Sequence, residues 1–315
     1  MTSHTITIVG PGAIGCLFAA MLKEAGHEVI LLDHNPVRAE KIARGGIHIE
    51  GVSGTRDVAV SATARALDLP DSRLVIIATK SYDTEKALMS VAPVIGPSTP
   101  VLTLQNGLGN VELISRYVGD DRTIGGITSQ GATLVSDGFI IHAGTGKTVI
   151  GTPSNRLTDK LVFVKDILKS AGFEPEISED LEATIWSKLI INIGINALTA
   201  VTRLNNGRLL EFEDTREVMR EAVSEAVAVA RARGVRLTNP APLGQVEEVC
   251  RRTAANISSM LQDVLAGRKT EVDAINGAVA GIGKDLGVLT PVNSTLASVV
   301  RVIESSYHLQ VRPRP

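Results

Sequence analysis

Apolar residues fall in two rhythms along this chain, and the rhythm changes once. In the first half, short continuous apolar runs alternate with amphipathic stretches. Residues 5–9 (TITIV), 28–33 (EVILLD), 73–80 (RLVIIATK) and 100–104 (PVLTL) are dominated by continuous apolar residues, as strands buried on both faces are. Between them, residues 16–25, 36–43 and 84–91 carry helical spacing, with Gly26 placed to stop the first of these helices. Repeated strand–helix–strand units predict a parallel sheet covered on both faces. Residues 47–60 read as strand and turn. Glycine-rich, β-branched stretches at 124–129 and 138–142 read as antiparallel strands at the end of the same sheet. His142, before a glycine-rich turn, reads as a strand or turn-capping histidine.

Past about residue 179 the period becomes helical. Residues 214–233, 245–266, 270–286 and 294–306 each predict a helix. The pattern divides the chain into an α/β Rossmann-type N-terminal domain, residues 1–178, and an all-α C-terminal domain, residues 179–315. A hinge is expected near 178–180, with a ligand cleft between the two domains. The tail, residues 311–315, reads as frayed and solvated.

One lysine breaks the pattern. The stretch IWSKLIINIGINAL is apolar nearly all round, which marks a buried helix, yet it contains Lys188, Asn192 and Asn196. Spacings of four and eight residues stack these three along one stripe. A buried ammonium and two buried amides are costly unless a partner satisfies them. Desolvation also drives a lysine pKa down toward the range of a working acid or base. The stripe therefore asks for a polar ligand.

A second motif indicates that ligand's companion. The strand at 5–9 runs into Gly10-Pro11-Gly12-Ala13-Ile14-Gly15, a helix follows, and the next strand ends in Asp33, eighteen residues beyond Gly15. Strand, glycine turn, helix, strand and terminal acid make a dinucleotide-binding unit. The glycines let the backbone approach a pyrophosphate, which rests on the helix N-terminus. Lys80 and Asn106 fall at the carboxyl ends of two further strands, where ligands of such sheets bind.

Composition narrows the class. The chain has 315 residues, is 44% hydrophobic and carries a formal net charge of −2, which disfavours nucleic acid as a partner. Its two cysteines, Cys16 and Cys250, have no metal-ligand spacing, so no metal site is expected, and Cys16 reads as packing. No leader is evident before the first strand, and no apolar run is read as a membrane span. The expectation is a cytoplasmic protein that acts on a small molecule, with neither membrane nor nucleic acid as partner.

The ordered motifs resemble the ketopantoate reductases (2-dehydropantoate 2-reductases) over essentially the whole chain. They are the glycine turn; Lys80; Gln105-Asn106-Gly107; Trp186-Ser187-Lys188-Leu189 with Asn192 and Asn196; Asn206-Gly207; Asn256 to Asp263; and Gly267 to Asp273 with Asn276-Gly277. The resemblance implies hydride transfer from a nicotinamide to ketopantoate, giving pantoate on the way to coenzyme A. It implies Lys188 as general acid, Glu271 as a substrate contact and Asn106 beside the nicotinamide. It also implies Asn192, Asn196, Asn206, Asn256 and Ser259 as holders of substrate carboxylate and hydroxyls, and Lys80 as a cofactor contact. By position alone, Glu271 reads as a first-turn acid in a capping box spanning 270–273, and Asn256 and Ser259 as sharing one helix face. The resemblance assigns them to the site instead.

At Asp33-His34 the chain departs from the family habit of an arginine that meets the 2′-phosphate. An acid there favours NAD(H), whereas the family default is NADP(H); Arg38 on the next helix is within reach of a phosphate. Two rival functions remain: a paralogous reductase of another 2-keto acid, and a non-catalytic NADP(H)-binding redox sensor. A homodimer is the expected assembly, because helical second domains of this kind carry dimer interfaces.

Overall fold

The computed structural model describes residues 3–310; the tail expected to fray, residues 311–315, lies outside the described residues. The chain forms two compact units. The first comprises residues 1–105 and 109–181, and the second comprises 106–108 and 182–315. The three residues 106–108 thus leave the first unit and fold with the second, which the strand pattern did not anticipate.

In chain order the first unit contains β1 (Thr5–Val9), α1 (Ala13–Glu24), β2 (Glu28–Leu32), α2 (Pro36–Gly45), β3 (Ile47–Gly51), β4 (Arg56–Val58), β5 (Ser61–Thr63) and β6 (Leu74–Ile77). It continues with α3 (Thr84–Val91), β7 (Val101–Thr103), α4 (Asn110–Val118), β8 (Thr123–Thr128), β9 (Gly131–Ser136), β10 (Phe139–Gly144), β11 (Thr148–Gly151), α5 (Asp159–Ser170) and β12 (Glu176–Ile177). The main sheet has the order β12-β11-β8-β7-β6-β1-β2-β5. Its central strands are parallel, with Ile8 paired to Leu31 on one side and Ile76 on the other. The strand order reverses about β1, and at such a switch point the crevice beyond the carboxyl ends binds ligands.

The expected antiparallel end of the sheet is corrected in part. β8 runs parallel to β7 and antiparallel to β11, but β10 leaves for a second sheet of order β4-β3-β10-β9. Side chains of α1 share one core with Ile6 and Ile8 of the main sheet and with Ile47, Ile49 and Ile140 of the second. Sheets on two sides explain why α1, from Gly15 to Leu22, is almost wholly buried and lacks a polar face. The local pattern revealed a strand at 138–142 but neither its hairpin partner β9 nor the sheet that would receive it. His142 is buried in β10, pairs with Ser53 Oγ at 2.9 Å and with Gln130 Oε1 at 3.1 Å, and is held toward the neutral form by burial. Both ring nitrogens are therefore occupied structurally. Cys16 is also buried, its thiol pushed up to about 12 by desolvation, as a packing residue should be.

The helical part contains α6 (Leu181–Thr202), α7 (Glu213–Ala232), α8 (Pro242–Arg252), α9 (Ser259–Leu265), α10 (Asn276–Leu286) and α11 (Pro291–Ser305). α6 forms the spine of its core, where Trp186, Leu189, Ile193 and Ala197 meet Met219, Val223 and Val246. α6 is also long and apolar enough to cross a membrane, contrary to the expectation that no apolar run has that length; 61% of its most apolar window is buried, as in a core helix. The helix expected over 245–266 is broken. Thr253 closes α8 by donating its hydroxyl to Val249 O, and Ser258 opens α9 by accepting from Leu261 N–H. The helix expected from residue 270 begins only at Asn276.

Candidate active site

The first unit carries a candidate cofactor cradle built from backbone. Gly10 has φ +99°, and a Cβ there would meet the Thr79 backbone at 2.8 Å, so the chain leaving β1 presses against the loop that carries Lys80. Gly12 is the N-cap of α1, with no side-chain cap and no acid in the first turn. Those N–H groups are thus available to an anion. A Cβ on Gly12 would meet nothing within 4 Å, whereas one on Gly15 would lie 2.1 Å from Gly10 O. Gly12 therefore faces open space and Gly15 seals the turn against α1, which is the cradle a pyrophosphate fits. Ala13 and Ile14 form the first turn of α1 between them.

Asp33 follows β2 and is buried. Its carboxylate accepts from Arg38 Nε, from Arg38 Nη2 at 2.7 Å and from Asn35 N–H at 3.1 Å. This bidentate pair raises the Arg38 pKa and neutralises the acid locally. His34 points outward with 87% of its side chain exposed. Lys80 is half-buried, three residues beyond β6 rather than at its end. Gln105 braces these loops by donating to Thr79 O at 2.8 Å and to Thr84 Oγ1 at 2.9 Å.

The second unit carries a candidate substrate surface built from side chains. Lys188, Asn192 and Asn196 lie along α6 as the spacing required. Asn196 is buried and Asn192 half-buried, and neither side chain makes a hydrogen bond among the described residues. Burial lowers the Lys188 pKa from 10.5 to about 8, and the negative charge of Glu271 opposes that fall. Glu271 is 7% exposed and accepts from Asn106 Nδ2 at 3.4 Å, a long contact. The segment bearing Asn106 docks on the same turn: Leu108 N–H donates to Ala274 O at 2.9 Å. Gly107 has φ +83°, and a Cβ there would lie 2.5 Å from Ala274 O, so glycine is required. Asn106, Lys188 and Glu271, from three distant parts of the chain, are thus brought together.

The remaining expected residues form a second group. Asn206 is buried, its N–H donates to Asn256 O at 3.0 Å, and its Nδ2 donates to Thr253 Oγ1 at 2.9 Å. Its Oδ1 is buried with no partner among the described residues, an acceptor left open for a donor. Asn256 and Ser259 are exposed, but they do not share a helix face, because Asn256 lies in the loop before α9. Neighbouring Ser258 ties that loop to α6 through a 2.6 Å hydroxyl contact with Thr199, three residues beyond Asn196. The capping box at 270–273 is not formed. Thr270 Oγ1 accepts from Val272 N–H, two residues on, and Glu271 occupies a turn rather than a helix.

The family model described as "Ketopantoate reductase PanE/ApbA" matches residues 6–155, and its C-terminal counterpart matches residues 180–304. A 2-dehydropantoate 2-reductase of Halobacterium salinarum is 33% identical, with 95% of this chain and 98% of that protein covered. Among solved structures, a PanE/ApbA family ketopantoate reductase from Ralstonia eutropha superposes with TM-score 0.89 at 32% identity, covering 96% of this chain and 99% of that one. A D-mandelate dehydrogenase in complex with NADH and anilino(oxo)acetate superposes with TM-score 0.90 at 27% identity, covering 97% of this chain and 100% of the other.

Proposed function

Because the chain belongs to the ketopantoate reductase family, we propose that it is a 2-dehydropantoate 2-reductase, converting ketopantoate to pantoate in pantothenate biosynthesis with a nicotinamide cofactor. The observation that carries the reading is the α6 stripe: a lysine held near pKa 8 beside two amides with no hydrogen-bond partner among the described residues.

When bound, the nicotinamide supplies the hydride to the keto carbon. As charge builds on the carbonyl oxygen, Lys188 stabilises it and donates its proton from Nζ. Glu271 holds the ammonium in its charged form, and Asn106 holds Glu271. Asn192 and Asn196 donate to substrate oxygens, while Asn206, Asn256 and Ser259 receive the carboxylate and hydroxyls at the other end. Neutral donors bind a carboxylate without discharging Lys188. The glycine turn from Gly10 to Gly15 receives the pyrophosphate, with Lys80 as a further cofactor contact.

For the cofactor we propose NADPH, with NADH as a working alternative. A bare Asp33 would repel a 2′-phosphate, but Arg38 neutralises it, and Arg38 and His34 remain at the strand end to meet the phosphate. We also propose that the protein is a homodimer; light scattering should then give twice the chain mass, and a single chain mass would reject it.

The test is ketopantoate-dependent oxidation of NADPH and of NADH by wild type and Lys188→Met. Turnover that collapses in the variant is expected. Tight nucleotide binding without turnover of ketopantoate by wild type would reject this substrate. The likeness to D-mandelate dehydrogenase supports a second reading, reduction of another 2-keto acid on the same residues, which a panel including aryl 2-keto acids would detect.

A further inference from the structure

The turn carrying Glu271 has no regular structure of its own, yet it is held along its length by one helix. Thr270 N–H donates to Glu304 at 2.7 Å, Arg301 Nε donates to Asp273 at 2.7 Å, and Asn276 Nδ2 donates to Asn293 Oδ1 at 3.0 Å. Asn293, Arg301 and Glu304 all lie on α11, eight and eleven residues apart. At 100° per residue they share a face spanning about 80° of arc. Asn293 is in turn fixed at the start of α11, where its side chain donates to Glu225 at 2.8 Å and to Ala222 O at 2.9 Å. Arg301 passes so close to the turn that a Cβ on Gly277 would lie 3.0 Å from its Nη2.

We propose that this face of α11 is a clamp that sets the Glu271 carboxylate against the Lys188 ammonium, and that Glu304 is a positioning residue of the reaction. The proposal rests on the assignment of Lys188 and Glu271 made above. Thr270 is 1% exposed, so its N–H depends on Glu304 as acceptor, and this bond fixes the backbone immediately before Glu271. The negative charge of Glu271 acts on Lys188 against the effect of burial. A turn released at Thr270 lets Glu271 retreat, and Lys188 then gives up its proton more readily.

The experiment follows the Lys188 titration by NMR in protein labelled at lysine Cε, the resonance being identified by its loss in Lys188→Arg. Glu271→Gln moves the midpoint down from about 8, and Glu304→Ala moves it the same way by about half a unit or more, with a fall of about tenfold in kcat. Glu304→Gln keeps an acceptor for Thr270 N–H and stays within about twofold of wild type. A folded Glu304→Ala protein with an unmoved Lys188 midpoint would overturn the clamp, even if its activity fell. Should Glu304→Ala not fold, Arg301→Met is read identically: a lowered midpoint supports the clamp and an unmoved one overturns it. The resonance reports the Glu271–Lys188 coupling whatever the substrate, so a wild type inactive on ketopantoate rejects the substrate without touching this test.

Discussion

The two units build binding surface by opposite means. In the first unit the cradle is made by leaving side chains out, since Gly12 faces open space and α1 begins with uncapped N–H groups. In the second unit the surface is made by putting polar side chains where an apolar core would be more stable: Lys188 and Asn196 on α6, and Glu271 in a buried turn. The first kind of site is broken by adding atoms and the second by removing them. A backbone cradle uses groups the chain always carries, whereas a side-chain site holds desolvated charge at a cost to stability.

That contrast is broken most sharply at Lys188. Lys188→Met should lower kcat by about 10²–10⁴-fold, the usual contribution of a positioned acid, with nucleotide affinity unchanged. Steady-state kinetics and nucleotide titration together check this, and retained turnover would remove Lys188 as the acid. At Gly12 the opposite operation applies. The Cβ that Gly12→Val adds meets no heavy atom within 4 Å and the backbone has an ordinary φ of −75°, so the fold should survive while nucleotide KM rises by about tenfold or more. A loss of thermal stability together with binding would show that Gly12 is needed for folding instead.

Arg38 sharpens the comparison, because there a side chain adjusts a backbone-built site. Arg38→Ala should expose a bare Asp33 and shift the NADPH/NADH ratio of kcat/KM toward NADH by roughly 10–100-fold, as loss of charged hydrogen bonds predicts. An unchanged ratio would place the discrimination elsewhere.

The pH dependence follows from the Lys188 shift. The reducing direction needs the ammonium, so activity is full below about pH 8 and falls about tenfold per unit above it. Stability runs the other way. The folded pKa is below the unfolded one, so between about 8 and 10.5 the unfolded chain binds the extra proton and stability rises with pH. Below that window the charged lysine carries its full desolvation cost. Lys188→Met should therefore raise Tm at neutral pH, by about 2–4 °C for each 1 kcal/mol relieved. A Tm that falls would mean the lysine is stabilised by partners that outweigh its burial.

The dinucleotide unit was legible because all its parts are local: the strand, glycine turn, helix and next strand lie within residues 5–33, and each obeys a short-range rule. The α6 stripe was legible for the same reason, since a single helix fixes the spacing of Lys188, Asn192 and Asn196. What failed were statements about who meets whom. The stretch at 138–142 was recognised as strand, but its pairing with β9 was not, and its sheet was chosen by the apolar face that α1 offered. The helices over 245–266 and 270–286 had continuous periodicity, yet Ser258 capping and the Glu304 bond to Thr270 interrupt them. Glu271 read locally as an ordinary first-turn acid; its partner Asn106 is 165 residues away, and nothing in either neighbourhood announces the other.

The sequence by itself determined the cofactor fold, the change to helices and a lysine that had to be buried with two amides, because dihedral preference and periodicity act over a few residues. Tertiary structure alone decided that residues 106–108 join the second unit, that Asp33 is matched by Arg38, and that α11 holds the turn beneath Glu271. Those contacts arise only when desolvated polar groups must find partners in a packed interior, and the partners available there are set by the whole chain.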